Sequence, residues 1–70
     1  MMKIKVNGEE KFINNLDRES SLLETLNQLG YIDKNIIVEL NNVIVNNQYW
    51  HKNNVQDGDK LEIVSIVGGG

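Results

Sequence analysis

The residue types that could do chemistry in this chain gather in its last third. Tyr49-Trp50-His51 sets an aromatic pair beside the one histidine. Asp57-Gly58-Asp59 places two carboxylates around a glycine, and Ile63-Val64-Ser65-Ile66-Val67 runs straight into Gly68-Gly69-Gly70. Two carboxylates in a turn are a poor cation site, because calcium takes roughly six to eight oxygens. A tight turn is the favoured reading of Asp57-Gly58-Asp59. Tyr49 and Trp50 could form a stacking platform, but an anchor pinning a loop to the core is favoured. His51 has no second histidine with which to share a metal and is expected to face solvent. No serine, histidine and aspartate set can be argued, and no glycine-rich phosphate loop precedes a helix.

The glycine run has two readings. Such runs are often flexible linkers or disordered ends. A run without Cβ atoms is also a thin arm that can enter a channel closed to any other residue. Three extended residues reach roughly 10 Å, and the carboxylate at the tip is then the group best placed for chemistry. A carboxylate is a poor acyl donor until one oxygen becomes a leaving group, which adenylation by ATP achieves.

Seventy residues allow one domain, and a chain of this size buries only about 60% of its unfolded surface. An enclosed catalytic cavity is not expected, which favours a binding or carrier module over an enzyme. The net charge is −3, with 40% hydrophobic and 24% charged residues. Lys3, Lys5, Lys11, Lys34, Lys52 and Lys60 are scattered and make no basic stripe. An acidic surface repels phosphates, so nucleic acid is not an expected partner. The chain has no cysteine, which removes disulfides, thiolate nucleophiles and thiolate metal sites. No segment is long and apolar enough for a membrane helix, and Met1-Met2-Lys3-Ile4-Lys5 lacks a signal-peptide core. The expectation is a cytoplasmic monomer with no membrane partner.

Met2, Ile4 and Val6 alternate with Lys3 and Lys5, the pattern of a half-buried strand. Asn7-Gly8 is a hairpin turn, since both positions must tolerate positive φ. Glu10 to Ile13 is the return strand, with Phe12 or Ile13 facing the core. Asn14 to Ser20 is polar and leads to a helix. Ser21 and Glu24 have capping-box spacing. Leu22, Leu23, Leu26 and Leu29 give an apolar face, and Gly30 suits the left-handed closing position. Ile36 to Leu40 reads as a more central strand, Asn41-Asn42 as a turn and Val43 to Val45 as a return. Asn46 to Asn54 is expected to be irregular. Lys60 to Val67 is the last strand, with apolar residues on both faces, as in a central or bulged strand. The sum is α+β: a mixed four- to five-stranded sheet against one helix, the ubiquitin-like β-grasp. It spans residues 1–67, followed by a flexible arm at 68–70. Which of Ile13, Ile37 and Val64 points outward depends on a register that pattern alone leaves open.

With these residues in view, the chain resembles the ThiS family, the sulfur carriers of thiamine biosynthesis. The resemblance is carried by Ile4-Lys5-Val6-Asn7-Gly8-Glu9 and Ser21-Leu22-Leu23-Glu24-Thr25-Leu26. Trp50 followed by Val55-Gln56-Asp57-Gly58-Asp59, and the segment from Leu61 to Gly70, carry it further. It implies a carrier and not an enzyme, with no bound cofactor. A ThiF-type adenylyltransferase would activate the Gly70 carboxyl with ATP and magnesium. A sulfur donor such as a cysteine desulfurase would convert it to a thiocarboxylate, and thiazole synthase (ThiG-like) would receive the sulfur. Gly70 would carry the sulfur, while Gly68 and Gly69 thread the partner's active site. The alternatives are a MoaD-like carrier for molybdopterin synthesis, a modifier conjugated through Gly70, and a β-grasp interaction module whose glycines are a linker.

Overall fold

A computed structural model of the chain describes residues 1–14, 19–31 and 35–66. The hairpin comes first. β1 (Met2–Val6) and β2 (Glu9–Ile13) are antiparallel, with Met2 opposite Ile13 and Val6 opposite Glu9. Asn7 and Gly8 take φ of 51° and 83°, both in the left-handed region that this two-residue turn requires. β3 (Glu19–Ser21) leads directly into α1 (Leu22–Gln28). Then come β4 (Ile36–Leu40), β5 (Val43–Val45), a single 3-10 turn at Asn47–Tyr49, β6 (Asn54–Gln56) and β7 (Lys60–Ser65).

Five strands form one sheet in the order β2-β1-β7-β4-β5. β7 is central, parallel to β1 and antiparallel to β4. This is the β-grasp arrangement expected from the element order. β3 and β6 make a separate antiparallel pair, with Ser20 opposite Val55. That pair was not expected. Asn14 to Ser20 reads as a polar lead-in and Asn46 to Asn54 as irregular chain, and three-residue strands leave almost no alternation to read.

Ser21 caps α1 as its spacing predicts, its Oγ accepting from the Glu24 N–H at 3.1 Å. The last turn closes in a Schellman motif. Gly30, at φ 93°, donates to the Asn27 carbonyl, and Tyr31 donates to that of Leu26 at 2.9 Å. The apolar face differs from the leucine series. Leu22, Thr25 and Leu26 are buried and Leu29 packs at the margin, while Leu23 is 38% exposed. Positions 22, 25, 26 and 29 follow the i, i+3, i+4, i+7 stripe, and position 23 lies off it. Thr25 is tolerated in the stripe because its hydroxyl donates to the Ser21 carbonyl at 2.9 Å, so no polar group is left unpaired.

The core lies between the inner face of the sheet and α1. Met2, Ile4, Val6, Val38, Leu61 and Ile63 enter it from the sheet, and Leu22 and Leu26 from the helix. Ile13 also points inward, and Phe12 outward. Trp50 is 3% exposed and its indole N–H donates to the Val45 carbonyl at 2.8 Å. It is the loop anchor, while Tyr49 is largely exposed. His51 is exposed as expected.

Two leucines of the same helix therefore separate the sequence pattern from the packing. In urea denaturation, Leu26→Ala should cost about 2–5 kcal/mol through the cavity it leaves. Leu23→Ala should cost less than about 1 kcal/mol.

Candidate functional site

β7 is the last element among the described residues, and the site is built around where that strand runs and what borders it. Leu61 and Ile63 point into the core, and Val64 is exposed on the opposite side. The apolar residues on both faces thus come from a regular central strand, with no bulge between β7 and β4. β7 ends at Ser65, and Ile66 remains tied to the sheet through its N–H, which donates to the Asn35 carbonyl at 2.9 Å. Val67, the last residue of the expected strand, and Gly68, Gly69 and Gly70 lie outside the described residues.

The register settles which side chains share the outer face. Ile37 lies opposite Val64, Glu39 opposite both Glu62 and Ile44, Lys5 opposite Glu10 and Lys60, and Lys3 opposite Phe12. Ile37 and Val64 point outward and Ile13 does not. Ile37, Val64 and Ile66 are 42%, 57% and 50% exposed at the end of the sheet where β7 leaves it, with exposed Ile44 beside them. Glu39 and Glu62 form the next row, and Lys5 and Lys60 the one after. An open groove of about 360 Å³ adjoins the apolar end, lined by Ile36, Ile37, Ile44, Val45, Asn46 and Ile66. Singly exposed aliphatics need no explanation, but a cluster at one end of a sheet marks a contact surface.

The Asp57-Gly58-Asp59 turn is structural. An Asp57 carboxylate oxygen accepts from the Lys3 N–H at 2.7 Å, and the Gly58 N–H donates to the Lys3 carbonyl at 2.8 Å. Asp59 accepts from the Gln56 N–H at 2.8 Å and from the Asn41 side-chain amide at 3.1 Å. Both carboxylates are thus committed to holding the start of β7 against its neighbours. Among the described residues no group of three or more histidines or carboxylates could hold a metal. None of their helices is long and apolar enough to cross a membrane.

The ThiS family matches residues 4–70. The chain belongs to the ThiS family. The crystal structure of the thiamine biosynthesis protein ThiS from Geobacter metallireducens superposes with a TM-score of 0.83 at 27% identity, covering 99% of this chain and all of that one. An uncharacterized protein, ycf40 of Trieres chinensis, is 37% identical over 65 residues, 93% of this chain and 85% of that protein. A thiazole synthase from Paramagnetospirillum magneticum is 39% identical over 69 residues, which are 99% of this chain but 20% of that protein. For this ThiS-family chain the resemblance drawn from the sequence holds, and so does the β-grasp fold. The sequence pattern missed the β3–β6 pair, and it left open the outward residues Ile37 and Val64, which only a register could assign.

The role of the Asp57-Gly58-Asp59 turn can be checked directly. Asp59→Ala should lower stability by about 1–3 kcal/mol, since it strips two donors of their acceptor. Millimolar calcium should leave the melting temperature of the wild-type chain unchanged. A calcium-dependent rise would show a cation site instead.

Proposed function

We propose that the chain is a sulfur carrier for thiamine thiazole synthesis and acts through the carboxyl of Gly70. The observation that carries this is the central strand β7. It runs past an exposed apolar face and on, in sequence, toward Gly68-Gly69-Gly70, in a chain of the ThiS family. The apolar end of the sheet, with Ile37, Val64 and Ile66, is the docking face. An arm of three glycines buries too little area to give a specific complex.

In the proposed sequence of steps, a Gly70 carboxylate oxygen attacks the α-phosphorus of ATP in a ThiF-type adenylyltransferase. Pyrophosphate leaves, and the C-terminus becomes an acyl adenylate. The terminal sulfur of a persulfide on a donor such as a cysteine desulfurase then attacks the acyl carbon, AMP leaves with the carbon–oxygen bond electrons, and a thiol of the partner proteins cleaves the resulting sulfur–sulfur bond and is itself oxidised to a disulfide. The product is a thiocarboxylate on Gly70, which thiazole synthase consumes. ATP and magnesium belong to the partner. Gly68 and Gly69 carry no side chain that a narrow channel would exclude. The absence of cysteine leaves no competing thiol on the carrier. The stretch of similarity in the Paramagnetospirillum thiazole synthase supports the pairing with that enzyme.

Three outcomes are expected. Incubation with an adenylyltransferase active on another family carrier, ATP and a sulfur donor should replace one oxygen by sulfur in the intact mass. No change in mass would refute the reading. An alanine added after Gly70 should leave urea denaturation unaltered and abolish activation, because the acyl carbon moves and a Cβ enters the channel. Val64→Asp, on the solvent side, should fold normally and raise the KM for the carrier by roughly tenfold or more, as desolvating an unpaired charge at an interface costs several kcal/mol.

A further inference from the structure

Asn7 does more than shape a turn. Its left-handed φ of 51° leaves its side chain pointing along β7, where the amide behaves as one more peptide unit of β1. Its Oδ1 accepts from the Ile63 N–H at 2.7 Å, and its Nδ2 donates to the Ile63 carbonyl at 3.1 Å. Its own N–H donates to the Leu61 carbonyl at 2.9 Å. The backbone pairing of β1 with β7 stops at Val6 opposite Leu61. The Asn7 amide thus extends the β1 side of the ladder by one residue, across 56 positions of sequence. Beyond Ile63, the strand pairs with β4 through Val64 and Ser65. Ile63 is the last residue of β7 held by this two-bond clamp, and seven positions separate it from Gly70.

We infer that Asn7 is a positioning residue for the carrier arm: its amide fixes the direction in which β7 leaves the sheet, and so the fraction of docked carriers whose arm enters the partner's active site. This rests on the sulfur-carrier reading. The two bonds of the clamp are partly buried. The clamp lies one residue before Val64, whose own place opposite Ile37 is set by the pairing of β7 with β4. A looser clamp therefore widens the distribution of exit directions without altering the docking surface. Small misplacements of a reacting group are costly, because catalysis depends on a narrow near-attack geometry. Asn is suited to the position because it tolerates positive φ and carries both a donor and an acceptor.

Asn7→Gly is the discriminating variant, since glycine keeps the left-handed backbone and removes only the amide. Ile13→Val, a mild core change at the far edge of the sheet, is the control for stability. Two readouts are needed. Hydrogen exchange of the Ile63 amide should accelerate by roughly tenfold in Asn7→Gly relative to Val38, and not in Ile13→Val. In ATP–pyrophosphate exchange with the adenylyltransferase, Asn7→Gly should lower turnover at saturating carrier by about three- to tenfold with the KM unchanged. Ile13→Val should lower neither. If Asn7→Gly does not fold, Asn7→Asp, which keeps the acceptor for the Ile63 N–H and loses the donor to its carbonyl, should lower turnover at unchanged KM while leaving Ile63 exchange near the wild-type rate. Equal losses in the Asn7 variant and Ile13→Val, a rise in KM alone, or unchanged Ile63 exchange in a folded Asn7→Gly would each overturn the role of Asn7. In those cases wild-type exchange still stands. A wild-type chain that supports no exchange with a partner active on another carrier overturns the sulfur-carrier reading and the inference with it.

Discussion

The central strand β7 has to be satisfied on both edges, and neither neighbour is long enough to do it. β1 stops at Val6, opposite Leu61, and β4 stops at Leu40, also opposite Leu61. At each of these ends the chain turns through an asparagine at positive φ, Asn7 and Asn41. Asn7 reaches forward to both backbone groups of Ile63. Asn41 reaches back, its Oδ1 accepting from the Lys60 N–H at 3.0 Å and its own N–H donating to the Lys60 carbonyl at 2.8 Å. Glycine would satisfy the dihedral requirement of either turn but supply no amide. Hydrogen bonds of this kind contribute on the order of 1 kcal/mol each. Several of them matter in a domain whose net stability is only about 5–15 kcal/mol.

With β7 fixed in this way, its two faces serve different purposes. The inner face is complete: Leu61 and Ile63 pack with Ile4, Val38 and the helix leucines. The outer face is therefore released from any duty to the core. It leaves Ile37, Val64 and Ile66 in water at one end. Directly behind them Glu39 and Glu62 stand opposite each other, half-buried, and neither forms a salt bridge with another described residue. Like charges placed across a strand pair are unfavourable. Here they, with Lys5 and Lys60 in the row beyond, bound the apolar patch and confine it to the end where the last described residues of β7 lie. That restriction favours one docking position over sliding or self-association.

How much of this could be read beforehand follows from the physics of each element. The β1–β2 hairpin, the cap at Ser21, the Gly30 closure and the two asparagine turns are local chemistry, written in four or five adjacent residues, and they were legible. The burial of Thr25 in place of Leu23 was legible in principle from strict 3.6-residue spacing, but four leucines outweighed it. β3 and β6 were not legible, because three residues carry no period. Their pairing is instead enforced by contacts distant in sequence. The Leu22 N–H donates to the Asn53 carbonyl and that of Leu23 to Trp50 at 3.0 Å. The outward direction of Ile37 and Val64 needed a register, and the register comes from the Asp57, Asp59, Asn41 and Asn7 bonds around β7. The Asn7–Ile63 clamp was invisible for the same reason: a turn signal announces the backbone of Asn7 and says nothing of where its amide goes.

A carrier of this kind has to separate two demands that conflict within one surface. In the proposed mechanism, docking requires a rigid, shaped, partly apolar patch, and delivery of a reactive carboxyl requires an arm slim enough to pass where the patch cannot. The sequence places the change from one to the other within five residues, between Val64 and Gly68. Val64 is held by β4 with its side chain exposed, and Ile66 still donates to Asn35. From there, four further residues extend at most about 14 Å. A reach so short makes the orientation of the last anchored residues decisive. An angular error at Ile66 is carried along every residue that follows, and Gly68-Gly69-Gly70 has no side chains with which to correct it. The stiffness invested around β7 is thus the condition under which a glycine arm can be precise enough to be useful.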